Sequence, residues 1–337
     1  MMHRAARIED AVHRLRARWG RRRGLITTIV PYSGYGAPGW ARVLGRVLLT
    51  RKIAGTSSDR YQNIRGWRSF LSIPVYDVDV VVTVDGIEHS VRAGRGGVLD
   101  VRVPVDLEPG WHSLSLRTEG SETVTAPLFI VDPAVKFGIV SDIDDTVMVT
   151  ALPRPFLAAW NTFVLNEHAR RPVPGMPVLY ERLMKAHPGA PIIYLSTGAW
   201  NVAPTLSRFI ERNMYPSGSM LLTDWGPTHD RWFRSGQQHK RSSLERLSTE
   251  FPAMKWLLVG DDGQHDEALY GEFAENHPEN VAGVAIRQLS ASEAVLAGGR
   301  SKAAEHERAG SRVKWVFAPD GAGLAEQLDF LQVDAER

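Results

Sequence analysis

Two regimes of apolar patterning divide the chain. Between residues 25 and 131, short runs rich in β-branched residues (25–32, 41–50, 75–84, 98–105, 112–117 and 123–131) are separated by turn chemistry at Asp85-Gly86, Gly96-Gly97 and Pro109-Gly110. Short strands punctuated in this way predict an all-β antiparallel sandwich. The glycine- and aromatic-rich stretch from Pro31 to Trp40 reads as a loop that either packs on its surroundings or holds a ligand. Asp132-Pro133 closes the region. Downstream, continuous apolar runs, the kind a strand buried on both faces needs, alternate with amphipathic segments. Strands are expected at 137–142, 191–196, 219–223, 255–261, 281–286 and 313–317, and helices within 156–185 and at 203–213, 240–250, 265–275 and 323–331. That alternation predicts a doubly wound α/β domain. Residues 295–312, rich in Ala, Gly, Ser, Glu and Arg, are expected to be loosely ordered.

Charge adds a third region. Residues 1–68 carry fourteen Arg and Lys52 against Glu9, Asp10 and Asp59, a balance of +12, which leaves −10 for the remainder of a chain whose net charge is +2. From Arg4 to Arg23 the pattern is helical, with Ile8, Val12, Leu15 and Trp19 along one side and arginines elsewhere. Such a helix suits an anionic membrane surface; equally, its apolar stripe can dock on the body of the protein. No nucleic-acid-binding fold accompanies the charge, so nucleic acid is not an expected partner. The expected domains are thus 1–24, a basic amphipathic segment; 25–132, the β-sandwich; and 133–337, the α/β domain. A chain of 337 residues with 43% hydrophobic content can give the two larger regions a core each. Cysteine is absent, which removes disulfides and thiolate metal sites and suits a reducing compartment. No apolar run approaches the length of a membrane span, and the segment after Arg21-Arg22, broken by Pro31, Gly34 and Gly36, lacks the core of an export signal. A cytoplasmic location, peripheral to the membrane if the basic helix engages it, is the expectation.

The chemistry concentrates at the ends of the apolar runs. Phe137–Val140 leads directly into Asp142 and Asp144, followed by Thr146. These residues fall at the carboxyl end of a strand, the edge of an open α/β sheet where ligands bind. A carboxylate pair can divide its roles, one ionised as nucleophile or metal ligand, the other held protonated by its neighbour's charge. A second run ends in Ser196, Thr197 and Gly198, where a hydroxyl can donate to phosphate and glycine lets backbone approach. A third, Met254–Val259, ends in Gly260-Asp261-Asp262 with Asp266 close behind, the oxygen donors a Mg²⁺ site needs. Lys240, next to His239, is a compact cation suited to neutralising a phosphate and an aspartate together.

Taken in order, Asp142-x-Asp144-x-Thr146, Ser196, Lys240 and Gly260-Asp261-Asp262 with Asp266 resemble the haloacid dehalogenase superfamily. More narrowly, Asp-Ile-Asp-Asp-Thr, the Leu195–Asn201 segment and Asp224-Trp-Gly-Pro followed by His239-Lys240 resemble the actin-patch-type phosphatidate phosphatases, over roughly residues 135–317. The resemblance implies a fold with a haloacid dehalogenase-like core and a Mg²⁺ cofactor. It implies that Asp142 attacks phosphorus and that Asp144 serves as acid and then base. Mg²⁺ would be held by Asp142, the Asp144 backbone carbonyl and Asp261 or Asp262. Lys240, Thr146, Ser196, Thr197 and Gly198 would surround the transferred phosphate. The implied substrate is phosphatidate, a phospholipid met at a membrane surface and hydrolysed to diacylglycerol and phosphate.

Only about 45 residues lie between Thr146 and Pro191, which leaves room for a small cap and an open site. Phe156, Trp160 and Phe163 near this entrance, and Trp225, Trp232 and Phe233 beside Arg231 and Arg234, are either core or contacts to lipid. Two other readings compete: the same chemistry on a soluble phosphomonoester, and a membrane-associated adaptor with an inert phosphatase fold. An inert fold has no chemical reason to carry Asp142, Asp144, Lys240 and Asp261 together.

Overall fold

The computed structural model describes residues 15–51, 73–149, 170–223, 236–263, 265–296, 299 and 312–331. Ile8 and Val12 of the basic segment, Phe156, Trp160 and Phe163, and the aromatic and arginine residues of 224–234 lie outside the described residues. The protein is a mixed α/β structure with two compact units, one formed by residues 1–133, 199–204 and 223–235, the other by 134–198, 205–222 and 236–337.

The first unit contains a curled sheet of eight described strands: β1 (Ile26–Ala37), β2 (Trp40–Thr50), β3 (Ile73–Pro74), β4 (Asp79–Val84), β5 (Ile87–Arg92), β6 (Val98–Val103), β7 (Gly110–Thr118) and β8 (Val124–Ile130). Their order is β3-β2-β1-β8-β7-β4-β5, with β6 also paired to β2. Alternation drives it. Val80, Val82 and Val84 of β4 and Leu114 and Leu116 of β7 point into one apolar cluster that also takes Ile29, Val43, Leu99 and Leu128. Fully burying each such side chain contributes about 1.5–3 kcal/mol.

Two departures from the sequence expectation have clear causes. Pro31–Trp40 is not a loop: β1 runs through it to Ala37, and Gly34 to Gly36 pair in parallel with Leu128 to Ile130 of β8. Glycine is needed there because a Cβ on Gly36 would lie 2.3 Å from the Trp40 carbonyl oxygen, and one on Gly34 2.5 Å from that of Arg42. Strand β5 was not expected, because none of its six residues is buried. It is fixed by the turn before it, where Asp85 and Gly86 both have positive φ, 48° and 76°, as a tight hairpin requires.

Residues 15–22 are helical. Ala17 packs against the β core, and Gly20 sits beneath the side chains of Ile73, Leu25 and Leu49. Leu15 and Trp19, the larger members of the expected stripe, are instead 67% and 51% exposed, with the Arg23 guanidinium 3.5 Å above the Trp19 ring. Small residues face the protein and the large apolar ones face outward.

The second unit is organised on a six-stranded sheet made of β9 (Phe137–Asp142), β12 (Ile192–Ala199), β13 (Ser219–Thr223), β14 (Lys255–Asp261), β15 (Val281–Arg287) and β16 (Trp315–Ala318), in the order β13-β12-β9-β14-β15-β16. The β9/β12, β9/β14, β14/β15 and β15/β16 pairs are parallel. Six helices belong to the described chain here: α1 (Met176–Ala186), α2 (Ala203–Arg212), α3 (Gly236–Glu250), α4 (Asp266–Asn276), α5 (Ala291–Leu296) and α6 (Gly321–Gln327). A separate two-stranded ladder joins β10 (Met148–Val149) to β11 (Arg171–Pro172) and brackets residues 150–169. Register aligns three strand ends: Asp142 pairs with Leu195, and Ser141 with Val259. Asp142, Ser196 and Asp261 therefore emerge at one edge of the sheet, beside the point where the strand order reverses.

Candidate active site

Every residue of β9 is buried, from Phe137 to Asp142. A strand covered on both faces can be apolar throughout, and its first charged residue, Asp142, is delivered as the strand ends. Beyond it the chain turns sharply. The Val147 and Met148 N–H groups both donate to the Ile143 carbonyl at 3.0 Å, and the Asp145 N–H donates to the Met148 carbonyl at 2.8 Å. Asp145 takes the left-handed conformation, φ 59°. The bend leaves Asp144 half-buried while Asp142 is 3% exposed.

Four further groups close around this turn. Ser196 Oγ donates to Asp144 Oδ2 at 3.2 Å and accepts from the Gly198 N–H at 2.9 Å. Thr197 is exposed. Lys240 lies one turn inside α3, which begins at Gly236, four residues before the expected start. Its Nζ donates to Asp142 Oδ1 and to Asp266 Oδ1, each at 2.6 Å. Asp261 Oδ1 accepts from the Gly263 N–H at 2.7 Å. Asp262 is turned elsewhere, its Oδ1 accepting from the Leu289 N–H at 2.8 Å. Thr146 is wholly buried and its Oγ1 has no hydrogen-bond partner among the described residues.

Electrostatics follow from this crowding. Burial pushes the Asp142 carboxyl well above the usual carboxylate range; Lys240 pulls it down, and Asp266, Asp144 and Asp261 push it up again. Burial alone would lower the Lys240 ammonium, but Asp142 and Asp266 outweigh it and raise the group above its ordinary value. One cation is shared by too many anions. Asp142, Asp261 and Asp266 each offer an oxygen, all within 4.8 Å of one another, and Asp266 Oδ2 is buried with no hydrogen-bond partner. Converging carboxylate oxygens with an unused lone pair are the donor set of a hard divalent cation, and the residues fit one.

Three features of the site escaped sequence reasoning. Asp266, expected only among the oxygen donors of a metal site, is also the second carboxylate on Lys240. Tyr180, from α1, places its hydroxyl 2.6 Å from Ser141 Oγ behind the strand end. Arg287, at the end of β15, donates from Nη1 to the Asp145 carbonyl at 2.7 Å. Its signal was available: like Asp142 and Asp261, it is a charged residue closing an apolar run.

Residues 137–288 match the family model described as phosphatidate phosphatase APP1, catalytic domain. Phosphatidate phosphatase APP1 of Saccharomyces cerevisiae is 26% identical over 241 residues, which cover 67% of this chain and 40% of the yeast protein. An uncharacterized protein of Schizosaccharomyces pombe is 28% identical over 152 residues, 45% of this chain and 25% of that one. The chain spans less than half the length of these curated relatives. A solved carbohydrate acetylesterase from Xanthomonas citri, at TM-score 0.36 and 9% identity over 90% of this chain and 72% of that one, is too distant to bear on fold or chemistry. Residues 137–288, which contain Asp142, Asp144, Lys240, Asp261 and Asp266, are thus similar to the catalytic domain of the phosphatidate phosphatase APP1 family.

Proposed function

We propose that the chain is a phosphoric monoester hydrolase that uses Mg²⁺ and an aspartyl-phosphate intermediate to convert phosphatidate to diacylglycerol and phosphate. The observation that carries this reading is Lys240 bridging Asp142 and Asp266 at 2.6 Å each, with Asp261 converging on the same point. In the first step an Asp142 carboxylate oxygen attacks phosphorus and the bond to the leaving alkoxide breaks, while Asp144 gives that alkoxide its proton. In the second, Asp144 takes a proton from water as the water oxygen attacks phosphorus and the bond to Asp142 breaks. Half-burial suits Asp144 to this exchange, since its carboxyl must meet both leaving group and water. Lys240 opposes the effect of burial on the Asp142 carboxyl and, with the backbone N–H groups near Gly198, meets charge on the transferred phosphoryl group. Ser196 orients Asp144 through the 3.2 Å hydrogen bond. Asp142, Asp261 and Asp266 would hold Mg²⁺, with the Asp144 carbonyl as a further donor; when bound, the ion supplies positive charge against the phosphate oxygens. On this reading the fold is a haloacid dehalogenase-like doubly wound domain with a small cap over 133–337, following a curled β-sandwich over 25–132.

The test is a panel of p-nitrophenyl phosphate, nucleotide and sugar phosphates, and phosphatidate in mixed micelles, each assayed with Mg²⁺ and after exhaustive chelation. Turnover is expected only with Mg²⁺, with Ca²⁺ inhibitory because it takes more ligands at longer distances. Mg²⁺ alone should also raise the melting temperature, since a ligand at 100 times its Kd stabilises by about 2.7 kcal/mol. Asp266→Asn should lose that shift and Asp262→Asn keep it. Full activity after chelation would overturn the metal assignment. A preference for a soluble ester would replace the substrate but keep the chemistry, and no turnover on any ester would leave the adaptor reading.

A phospholipid substrate raises the question of the membrane, and we infer that residues 1–24 contact an anionic surface, the protein being cytoplasmic and peripheral. Arg16, Arg18, Arg21 and Arg22 are exposed beside Leu15 and Trp19. Each arginine near an anionic bilayer contributes on the order of 1 kcal/mol. Among the described residues no helix is long and apolar enough to cross a membrane. Because Ala17 and Gly20 pack on the β unit, deleting the helix would disturb the fold, whereas Leu15→Glu with Trp19→Glu alters only the outward face. This double variant is expected to leave melting and p-nitrophenyl phosphate turnover unchanged. Its sedimentation with anionic vesicles should fall several-fold, as should that of the unaltered protein in high salt. Undiminished sedimentation would remove the helix from the membrane contact.

A further inference from the structure

Arg287 ends β15 with its side chain buried, and its guanidinium spans three partners. Nη1 donates to the Asp145 carbonyl at 2.7 Å, Nη2 to Glu293 Oε1 at 2.7 Å, and Nε to the Pro319 carbonyl at 3.2 Å. Glu293 is itself anchored, its Oε2 accepting from the Ser290 N–H at 2.8 Å. A buried cation that makes no direct contact with the reacting groups calls for an account.

An L-residue in the left-handed region is disfavoured because Cβ crowds the following carbonyl, and such residues persist only where their surroundings hold them. Asp145, at φ 59°, is held at both ends. Its N–H is tied to Met148, its carbonyl to Arg287. A bond from a guanidinium is roughly twice as strong as one between neutral groups. Were it lost, Asp145 could relax towards the right-handed region. The peptide joining it to Asp144 would then rotate, and with it the direction in which Asp144 leaves the backbone. The Ser196 hydrogen bond to Asp144, at 3.2 Å, engages the carboxylate and not the peptide that carries it.

We propose that Arg287 is a positioning residue for the acid/base step: by gripping the Asp145 carbonyl it fixes the left-handed turn that aims Asp144 at the leaving oxygen. The inference rests on the phosphatase reading. Its chemical consequence is specific. Asp144 transfers a proton to the leaving oxygen as the phosphorus–oxygen bond breaks, so a misaimed Asp144 penalises an alkyl ester, whose alkoxide leaves poorly without that proton. A p-nitrophenyl ester, whose phenolate leaves unaided, is spared in that step.

Arg287→Met, Arg287→Lys and Glu293→Gln are to be assayed on dioctanoyl phosphatidate and on p-nitrophenyl phosphate. General acid catalysis contributes about 10²–10⁴-fold. Arg287→Met is therefore expected to lose at least about 100-fold in kcat/KM, which reports the steps up to departure of the leaving group, on the alkyl ester but under about 10-fold on the aryl ester. Arg287→Lys, which keeps one charged donor, should fall between. Glu293→Gln should lower the melting temperature yet keep the wild-type ratio of the two activities. The ratio is independent of how much of a variant folds. Equal losses on both esters, or a wild-type ratio in both Arg287 variants, would overturn the inference. Absence of turnover by the wild-type enzyme on either ester would instead overturn the phosphatase reading.

Discussion

Asp142→Asn is expected to abolish turnover, by at least about 10³-fold as losses of catalytic nucleophiles do, while the protein still folds. The amide oxygen carries no charge and attacks phosphorus poorly, and no other carboxylate occupies the end of β9. Folding should survive because the substitution keeps the side chain's volume and removes one anion from a cluster in which burial and like charge already oppose ionisation. Lys240 retains Asp266 as its partner at 2.6 Å. Asp144→Asn should behave differently. It cannot protonate an alkoxide, but p-nitrophenyl phosphate does not need that proton, so Asp142 should still be phosphorylated and then persist, because no base activates water. Mass spectrometry of protein quenched in acid would detect the added phosphate on Asp144→Asn and none on Asp142→Asn. Near wild-type turnover by Asp142→Asn would assign the nucleophile elsewhere.

The contrast between these two aspartates shows what could be read from sequence. A strand buried on both faces announces itself as an unbroken apolar run, which is why the expected bounds 137–142, 219–223 and 255–261 coincide with β9, β13 and β14. Charged residues closing two of those runs were visible for the same reason. What lies beyond a strand end is governed by backbone turns and single-residue alternation, which composition does not encode. Asp261 and Asp262 are adjacent, and successive side chains of a strand point to opposite faces. Only the register of β14 decides that Asp261 turns to Asp142 while Asp262 turns to Leu289. The outer face of β5 has no buried position to reveal it. Along β1, the glycines that resemble a loop are required by the closeness of β2. In the basic segment the size of Leu15 and Trp19 suggested the docked face, yet close packing selected Ala17 and Gly20.

Replacing Lys240 by methionine is expected to cost both activity and stability, with a pH signature that separates the two. Methionine fills similar volume but leaves Asp142 and Asp266, each about 95% buried, without their shared cation. Removing one partner of a buried ion pair costs about 3–5 kcal/mol. For a unit of this size that corresponds to roughly 6–20 °C in melting temperature. Loss of positive charge beside the transferred phosphoryl group should lower kcat by a further 10²–10³-fold or so. The sign of the pH effect follows from Asp142. Its carboxyl already lies above its usual range in the folded protein, and without Lys240 it moves higher. A carboxyl whose folded pKa exceeds its unfolded value binds more protons folded than unfolded between the two, so stability rises as pH falls through that window. The deficit of Lys240→Met, measured in chelator by thermal melting, should therefore shrink from pH 8 towards pH 5. Adding Asp266→Asn removes one stranded anion and should restore part of the loss, so that the double variant is more stable than Lys240→Met alone. A deficit constant across pH, or a double variant destabilised by the sum of its parts, would mean that Lys240 stabilises the fold through its packing and not by balancing Asp142 and Asp266.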